Sequence, residues 1–155
     1  MGRGTRRAPR SLMAITAHWQ TRIEQPVEHV FDYVADLKNE PQWNPDASNV
    51  VKMSDGPVGL GTEWEEDFAR VGHYVTKLAQ YERPSELAFD ARNPRTDAFV
   101  AFRFAPAGDG ATDVSCDVRL TMKGFMRLLE PLLAPMIKRQ IESSRPESLR
   151  DALSA

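Results

Sequence analysis

KGFMRLLEPLLAPMIKRQI, residues 123–141, is the stretch around which we expect the fold to be organised. Five of its apolar residues recur at the three- and four-residue spacing of one helical face, which predicts an amphipathic helix. These are Phe125, Leu129, Leu132, Leu133 and Met136. Pro131 and Pro135 each remove a backbone donor, so we expect a bend or break there. The helix is either an ordinary core helix or a lid over a cavity.

The composition is that of a globular protein with one domain. The chain has 155 residues, of which 41% are hydrophobic and 27% charged. No apolar run approaches the roughly 18 residues needed to span a membrane, so we expect no integral membrane segment. A single cysteine and three scattered histidines give neither a disulfide nor a zinc-ligand spacing. We therefore expect no metal, no cofactor and a cytoplasmic location.

The charge is unevenly distributed along the chain. Residues 1–13 contain four arginines and no acid, whereas the rest of the chain contains 16 basic and 22 acidic residues. An acidic body argues against nucleic acid as a partner, because such binding depends on neutralising phosphates. We expect residues 1–13 to be a disordered basic extension and residues 14–155 to form the domain.

The segments before the helix predict a sheet. Alternation over residues 15–24 indicates a half-buried strand, and Pro26 begins a helical pattern that runs to Ala35. A second short helical turn should reach Trp43. Six further strands are predicted at residues 48–53, 62–68, 74–81, 86–92, 98–105 and 112–122. Their short connections favour antiparallel pairing. The predicted fold is α+β: a seven-stranded, curved antiparallel sheet around a long C-terminal helix, with a cleft between them.

Three motifs in this order resemble a known family. They are PVEHVFDYVADLKNEPQWNPDA (residues 26–47), SDGPVGLGTEW (residues 54–64) and LAQYERPSELAF (residues 78–89). Together they resemble the polyketide cyclase/dehydrase and lipid-transport proteins of the START-like, helix-grip (SRPBCC) superfamily. The resemblance covers residue 15 to the C-terminus. It implies the order β-α-α-β6-α and a cavity that accepts apolar ligands such as lipids or polyketides.

The residues predicted to line this cavity come from the sheet and from the C-terminal helix. On the sheet side they are Trp43, Trp64, Phe68, Phe89, Phe102, Phe104 and Val118, and on the helix they are the five apolar residues named above. Trp43 and Trp64 are core anchors in the simpler interpretation, and they can also form part of the cavity wall or rim, since an indole offers apolar area and one donor. We expect the helix and the glycine-rich loop at residues 56–61 to control access, because breaks and glycines lower the cost of local motion.

Glu66 is the first candidate for acid–base chemistry. Alternation places it with Trp64 and Phe68, so it faces the cavity if they do, and burial would then raise its pKa. The alternative is a structural pair with Lys77, which lies opposite Glu66 if a tight turn forms at Val71–Gly72.

Weaker candidates for catalysis are His73, Tyr74 and Arg103. His73 and Tyr74 follow the predicted turn, and either of them could complete a donor set with Glu66. A solvated position is the simpler interpretation of His73 and of Arg103. We expect the protein to bind a small hydrophobic ligand as a monomer or homodimer. The alternatives are a polyketide cyclase or dehydratase that uses Glu66, or an interaction protein with a filled core.

Overall fold

Strand β1 (Ala14–Ile23) begins the part of the chain that the structure describes. In this computed structural model the described residues are 14–154, and the predicted basic extension lies outside them. β1 is followed by helix α1 (Val27–Ala35) and a short 3-10 helix (Leu37–Gln42). Pro26 directly precedes α1, as predicted, because proline lacks the donor that the first turn leaves unused.

Six strands and a long helix complete the described chain. The strands are β2 (Ala47–Lys52), β3 (Glu63–Phe68), β4 (Gly72–Glu82), β5 (Glu86–Arg92), β6 (Thr96–Pro106) and β7 (Thr112–Met122), and the helix is α2 (Met126–Ser154). All seven strands form one antiparallel sheet in the order β1-β7-β6-β5-β4-β3-β2. The predicted fold, a helix-grip arrangement of a curved sheet and a C-terminal helix, is confirmed.

One face of this sheet, here called the inner face, forms the core with α1 and the end of α2. Its buried side chains alternate along the strands with exposed ones, as antiparallel strands with one covered face require. The core residues contributed by the strands include Trp19, Trp64, Leu78, Phe89, Phe102, Phe104, Val114 and Cys116. The thiol of Cys116 is buried, which raises its pKa and leaves it unsuited to act as a nucleophile.

Helix α2 is fixed mainly through its C-terminal half. Leu149 and Leu153 are buried in the core, and Ile141 packs against it. Glu142 accepts a hydrogen bond from the backbone N–H of His18 on the free edge of β1 (3.1 Å). A side chain that occupies an edge donor also protects this edge against pairing with another strand.

The structure extends the prediction for α2 in two respects. The chain remains helical through Pro131 and Pro135, so of the expected bend or break the break does not occur. Each proline removes a single backbone hydrogen bond, and the helical turns between them keep theirs. The helix also continues past Ile141 to Ser154, because this mostly polar segment contains Leu149 and Leu153, which enter the core.

The β3–β4 hairpin has a different register from the predicted one. Glu66 pairs with Tyr74, whereas Lys77 pairs with Glu63. The strands are joined by three residues, Ala69 to Val71, and Arg70 adopts a positive φ of 75°. A two-residue turn at Val71–Gly72 had been predicted. The longer loop moves Lys77 away from Glu66, so the predicted structural pair does not form.

Candidate functional site

Glu66 lies on the inner face of β3 and is almost completely buried. Its side chain is 1% exposed, two residues from the fully buried Trp64. One carboxyl oxygen, Oε1, accepts a hydrogen bond from the Thr76 hydroxyl on β4 at 2.6 Å. The alternation of β3 therefore places a carboxyl group among aromatic core residues, as the sequence had indicated.

A second carboxyl group, that of Glu40, comes from the 3-10 helix. Glu40 is 9% exposed, and its Oε1 accepts a hydrogen bond from Asn44 Nδ2 at 2.8 Å. The two carboxyl groups lie close enough for each to influence the ionisation of the other. Burial, followed by the charge of Glu40, raises the pKa of Glu66 to about 9, and burial raises the pKa of Glu40 as well. The pair therefore keeps at least one proton at neutral pH.

The carboxyl pair is the inner end of a polar network that reaches α2. The backbone N–H of Asp46 donates to the side-chain oxygen of Asn44 (3.1 Å), the residue that also binds Glu40. On its other side, Asp46 forms an ion pair with Arg145 of α2 at 3.0 Å. Arg145 also lies close enough to Glu40 to favour its ionised form. The network thus connects β4, β3, the 3-10 helix and α2.

Several buried polar atoms have no hydrogen-bond partner among residues 14–154. In the carboxyl pair and its network they are the indole nitrogen of Trp64, Oε2 of Glu66 and Nη1 of Arg145, and Oε2 of Glu130 on α2 is a further one. A proton shared with Glu40 would supply a partner for Glu66 Oε2. Because an unpaired buried polar group costs about 1–3 kcal/mol, such groups normally meet water or a ligand. The site therefore offers hydrogen-bonding capacity that the protein itself does not use.

Aromatic rings surround the carboxyl pair. Phe102 packs edge-to-face against Trp43 and Phe89, and Phe89 packs in the same way against Trp64. The sheet residues predicted to line a cavity, Trp43, Trp64, Phe89, Phe102, Phe104 and Val118, are all buried on the inner side. Phe68 is half-buried and packs edge-to-face against Tyr74. The rings give the site an apolar wall, and the same contacts make them part of the core.

The helix residues predicted to line the cavity do not all face inward. Leu129 and Leu133 are half-buried, whereas Phe125, Leu132 and Met136 are exposed. The buried residue of this part of α2 is Glu130. Apolar residues occur on all sides of the helix here, so their spacing could not determine which side faces the sheet.

The other candidates for acid–base chemistry are divided between the two faces of the sheet. Tyr74 is buried beside Glu66, its hydroxyl contacts Thr96, and burial raises its pKa. His73 and Arg103 lie on the outer face, where they bind Asp67 (2.7 Å) and Asp117 (3.2 Å). Only Tyr74 therefore shares the environment of Glu66.

Two open depressions, of about 640 and 390 Å³, lie elsewhere on the molecule. The first is lined by outer-face residues such as Arg22 and Arg103, and the second lies between β1, β6, β7 and α2. Of the predicted cavity residues, they include Phe104 and Val118 alone. Neither depression is therefore the predicted cavity.

Within residues 14–154 no group of three or more histidine, cysteine, aspartate or glutamate side chains could hold a metal ion. None of the helices formed by these residues is long and apolar enough to cross a bilayer.

Comparison with known proteins identifies the family. A profile of the family described as polyketide cyclase / dehydrase and lipid transport matches residues 15–152. The chain belongs to this family. It is similar in fold to a START superfamily protein from Mycobacterium smegmatis (18% identity, 89% of this chain and 93% of that one, TM-score 0.69). No match was found among curated proteins.

Two other similar structures belong to proteins with named activities or ligands. One is the di-domain ARO/CYC protein BexL from the BE-7585A biosynthetic pathway (14% identity, TM-score 0.65). The match covers 92% of this chain and 51% of BexL, about half of that protein. The other is norcoclaurine synthase from Thalictrum flavum in complex with dopamine and hydroxybenzaldehyde (14% identity, 91% and 84% covered, TM-score 0.61). At these identities the likeness concerns the fold.

The sequence alone identified one half of the carboxyl pair. Glu66 was found because β3 alternates, whereas Glu40 was missed because it lies in a 3-10 turn without a periodic face. The sequence feature that could have identified Glu40 is its four-residue spacing to Asn44, since residues four apart can meet across a helical turn.

Proposed function

We propose that the protein binds a small, largely apolar ligand between the inner face of the sheet and α2, with an oxygen-bearing end of the ligand against the carboxyl pair. The observation that supports this most is the buried pair Glu40–Glu66 beside an indole N–H that has no partner among the described residues. A purely structural core would gain stability by replacing these groups with apolar ones.

The donors of the site favour an acceptor oxygen on the ligand. Trp64 presents an unpaired N–H, and Arg145 presents an unpaired Nη1. Glu66 is protonated at neutral pH, so it is a further donor. A ketone, phenol or hydroxyl oxygen matches these groups, and binding to them restores hydrogen bonds that are otherwise absent.

The remainder of the ligand is expected to be apolar. The rings of Trp43, Phe89 and Phe102 form the nearest wall, and burial against them contributes roughly 25 cal/mol per Å² removed from water. On the opposite side of the site, Leu129 and Leu133 of α2 are only half-buried. A local movement of this part of the helix would therefore make room for a ligand at the lowest cost. The family's description, which includes lipid transport, supports an apolar ligand.

The test is native mass spectrometry of protein purified from its host, followed by denaturing extraction. We expect a co-purified ligand, or binding of an apolar fluorescent probe by the empty protein. Glu66→Gln should weaken binding of an oxygen-bearing ligand. Glu65→Gln, on the outer face of the same strand, is the matched control and should leave binding unchanged. An empty protein that also fails to bind the probe would contradict the proposal.

A second matched pair of variants tests the position of the ligand along α2. Leu133→Trp should fill the space beneath the helix and abolish binding. Leu132→Trp adds the same ring at a position that is 78% exposed and should have little effect. Equal effects of the two substitutions would mean that the ligand lies elsewhere.

Acid–base catalysis on such a ligand is the second candidate function. A carboxyl group with a pKa of about 9 can donate a proton at neutral pH, and Glu40 beside it can exchange that proton. Two similar folds support this candidate: BexL is an ARO/CYC protein, and norcoclaurine synthase has been solved with dopamine and hydroxybenzaldehyde. For this chain, the candidate reaction is a cyclisation or dehydration of a polyketide-like ketone.

The substitution Glu66→Gln also distinguishes the two functions. Glutamine keeps the size and the acceptor oxygen of glutamate but cannot deliver a proton. Turnover of an aromatic polyketide-like ketone at saturating concentration should then fall at least about 100-fold, although the ligand still binds more weakly, as expected for loss of a general acid. Unchanged turnover would exclude a catalytic role for Glu66 and leave the binding function.

A further inference from the structure

Phe125, the residue before α2, and the first half of α2 present a row of apolar side chains to solvent. Phe125 is 74% exposed, Leu128 72%, Leu132 78% and Met136 53%. Their spacing of three, four and four residues places them along one side of the helix, opposite the buried Glu130. Single exposed leucines are common, but a contiguous row of four large apolar residues indicates an interaction surface.

Basic side chains surround the start of this row. One end of the sheet carries the β3–β4 loop, the β5–β6 turn and the last residues of β7. This end presents the exposed residues Arg70 and Arg95, and Arg127 follows in the first turn of α2. Among residues 14–154 none of these three arginines forms an ion pair.

Hydrogen bonds hold these loops together. The side chain of Asn93 donates to the carbonyl of Val71 (3.0 Å), which connects the β5–β6 turn to the β3–β4 loop. The backbone N–H of Lys123 donates to the carbonyl of Arg95 (2.8 Å), which connects the same turn to the start of α2. The basic loops and the apolar row therefore form one surface.

The acidic residues near this end are already engaged. Asp67 binds His73 at 2.7 Å, and Asp97 binds Lys123 at 2.8 Å. The residues that remain available are thus apolar or positively charged. An anionic lipid surface matches both properties, because it accepts apolar side chains at the acyl boundary and attracts arginine at its head groups.

We propose that this surface docks the protein on a bilayer that contains anionic lipids. We call it the basic-apolar surface: Arg70, Arg95, Arg127, Phe125, Leu128, Leu132 and Met136. A second copy of the chain is the less fitting occupant, because two such surfaces would bring like charges together. The inference does not depend on which ligand the protein binds.

Vesicle flotation of the full chain tests the proposal. We expect the protein to float with vesicles of two parts phosphatidylcholine to one part phosphatidylserine, but not with phosphatidylcholine alone. Raising the salt from about 0.1 M to about 0.5 M should weaken binding, since the shorter Debye length screens the arginines. Each of Arg70→Gln and Arg95→Gln should lower the partition coefficient about fivefold. Arg150→Gln, in the C-terminal half of α2, should not change it.

The apolar part has its own matched control. The double variant Phe125→Ser, Leu132→Ser should reduce flotation at least about tenfold. Leu60→Ser should have no effect, although Leu60 is 71% exposed, because it lies in the β2–β3 loop at the other end of the sheet. Thermal unfolding of each variant checks that its fold is intact.

Three outcomes would overturn the proposal. One is equal binding to neutral and anionic vesicles. Another is a concentration-dependent dimer in analytical ultracentrifugation that the double variant abolishes, which would assign the row to a second copy. The third is flotation by the full chain but not by a protein that starts at Met13, which would assign the binding to the four arginines of residues 1–12.

Discussion

Glu66 and Asp67 are neighbours on β3, yet their carboxyl groups have opposite properties. Glu66 points to the inner face, where burial and the nearby Glu40 raise its pKa to about 9. Asp67 points outward, where hydrogen bonds from Asn49 and His73 lower its pKa. One step along the strand separates an acid that keeps its proton from one that readily loses it. The face of the sheet, and not the residue type, determines which chemistry a carboxyl group offers.

The two faces also differ in how much stability the protein loses by placing polar groups there. On the outer face, Asp67 and His73 are exposed and are solvated whether or not they pair. On the inner face, Glu66 Oε1 has a hydrogen bond from Thr76, whereas Oε2 has no partner among the described residues. A costly buried group that the core could replace by an apolar side chain is the stronger indication of function.

The largest expected effect is on the pH dependence of stability. Below about pH 4.5 the carboxyl group of Glu66 is protonated in both folded and unfolded chains. Between there and about pH 9 the unfolded chain loses this proton while the folded chain keeps it, so the folded state binds more protons and becomes less stable as the pH rises. The free energy of unfolding should fall by up to about 1.4 kcal/mol per pH unit in this range, because one proton is worth that much per pH unit. Glu66→Gln should remove this slope in urea denaturation between pH 5 and pH 9, a range set by these pKa values.

The control for this experiment is Glu65→Gln, on the outer face of the same strand. It should keep the slope of the original protein. Because Glu40 and Glu66 titrate as a pair, Glu40→Gln should also reduce the slope, and this second variant identifies the pair as its source. A slope that survives in both glutamine variants of the pair would contradict the assignment.

A smaller effect is expected from the hydrogen bond between Thr76 and Glu66. Thr76→Val keeps the shape of the side chain but removes the donor to Glu66 Oε1, now at 2.6 Å. The free energy of unfolding should fall by about 1–2 kcal/mol at neutral pH, because one carboxyl oxygen loses its partner. The pKa of Glu66 should rise further, since this bond lowers it. Thr16→Val, at an exposed position of β1, should change neither quantity.

Local sequence patterns predicted the fold well where they were regular. The alternation of β3 placed Trp64 and Glu66 together, and Pro26 marked the start of α1. The β3–β4 register was predicted wrongly because the loop places Arg70 at a positive φ, which a sequence rarely reveals for a residue other than glycine. Such a loop is stabilised by its surroundings, here the bond from Asn93 to Val71.

Local sequence patterns could not predict which side of α2 faces the sheet, for a different reason. From Phe125 to Ile137 apolar residues occur on every side, so no single face is distinguished. The helix is oriented by Leu149 and Leu153, which enter the core near its far end. Tertiary contacts in the second half thus decide which residues the first half exposes. For the same reason, Glu130 and not Leu132 became the buried residue.

The smallest expected effect concerns the outer face, where Asp67→Asn removes the negative charge of the carboxylate that binds His73. The pKa of His73 is raised mainly by its hydrogen bond to Asp67, so it should fall toward its ordinary value in an NMR titration, with His29 on α1 as the control. A raised histidine pKa stabilises the fold below about pH 6.5, and a lowered aspartate pKa stabilises it above about pH 3.8. Any loss of stability should therefore be largest between these values, where both groups are charged, and should fade as the pH rises through the raised pKa of His73. Well above that pKa the variant should retain the full slope that Glu66 produces. If Asp67→Asn altered the slope there, the two faces would not titrate independently, and the separation of an inner acid from an outer ion pair would be wrong.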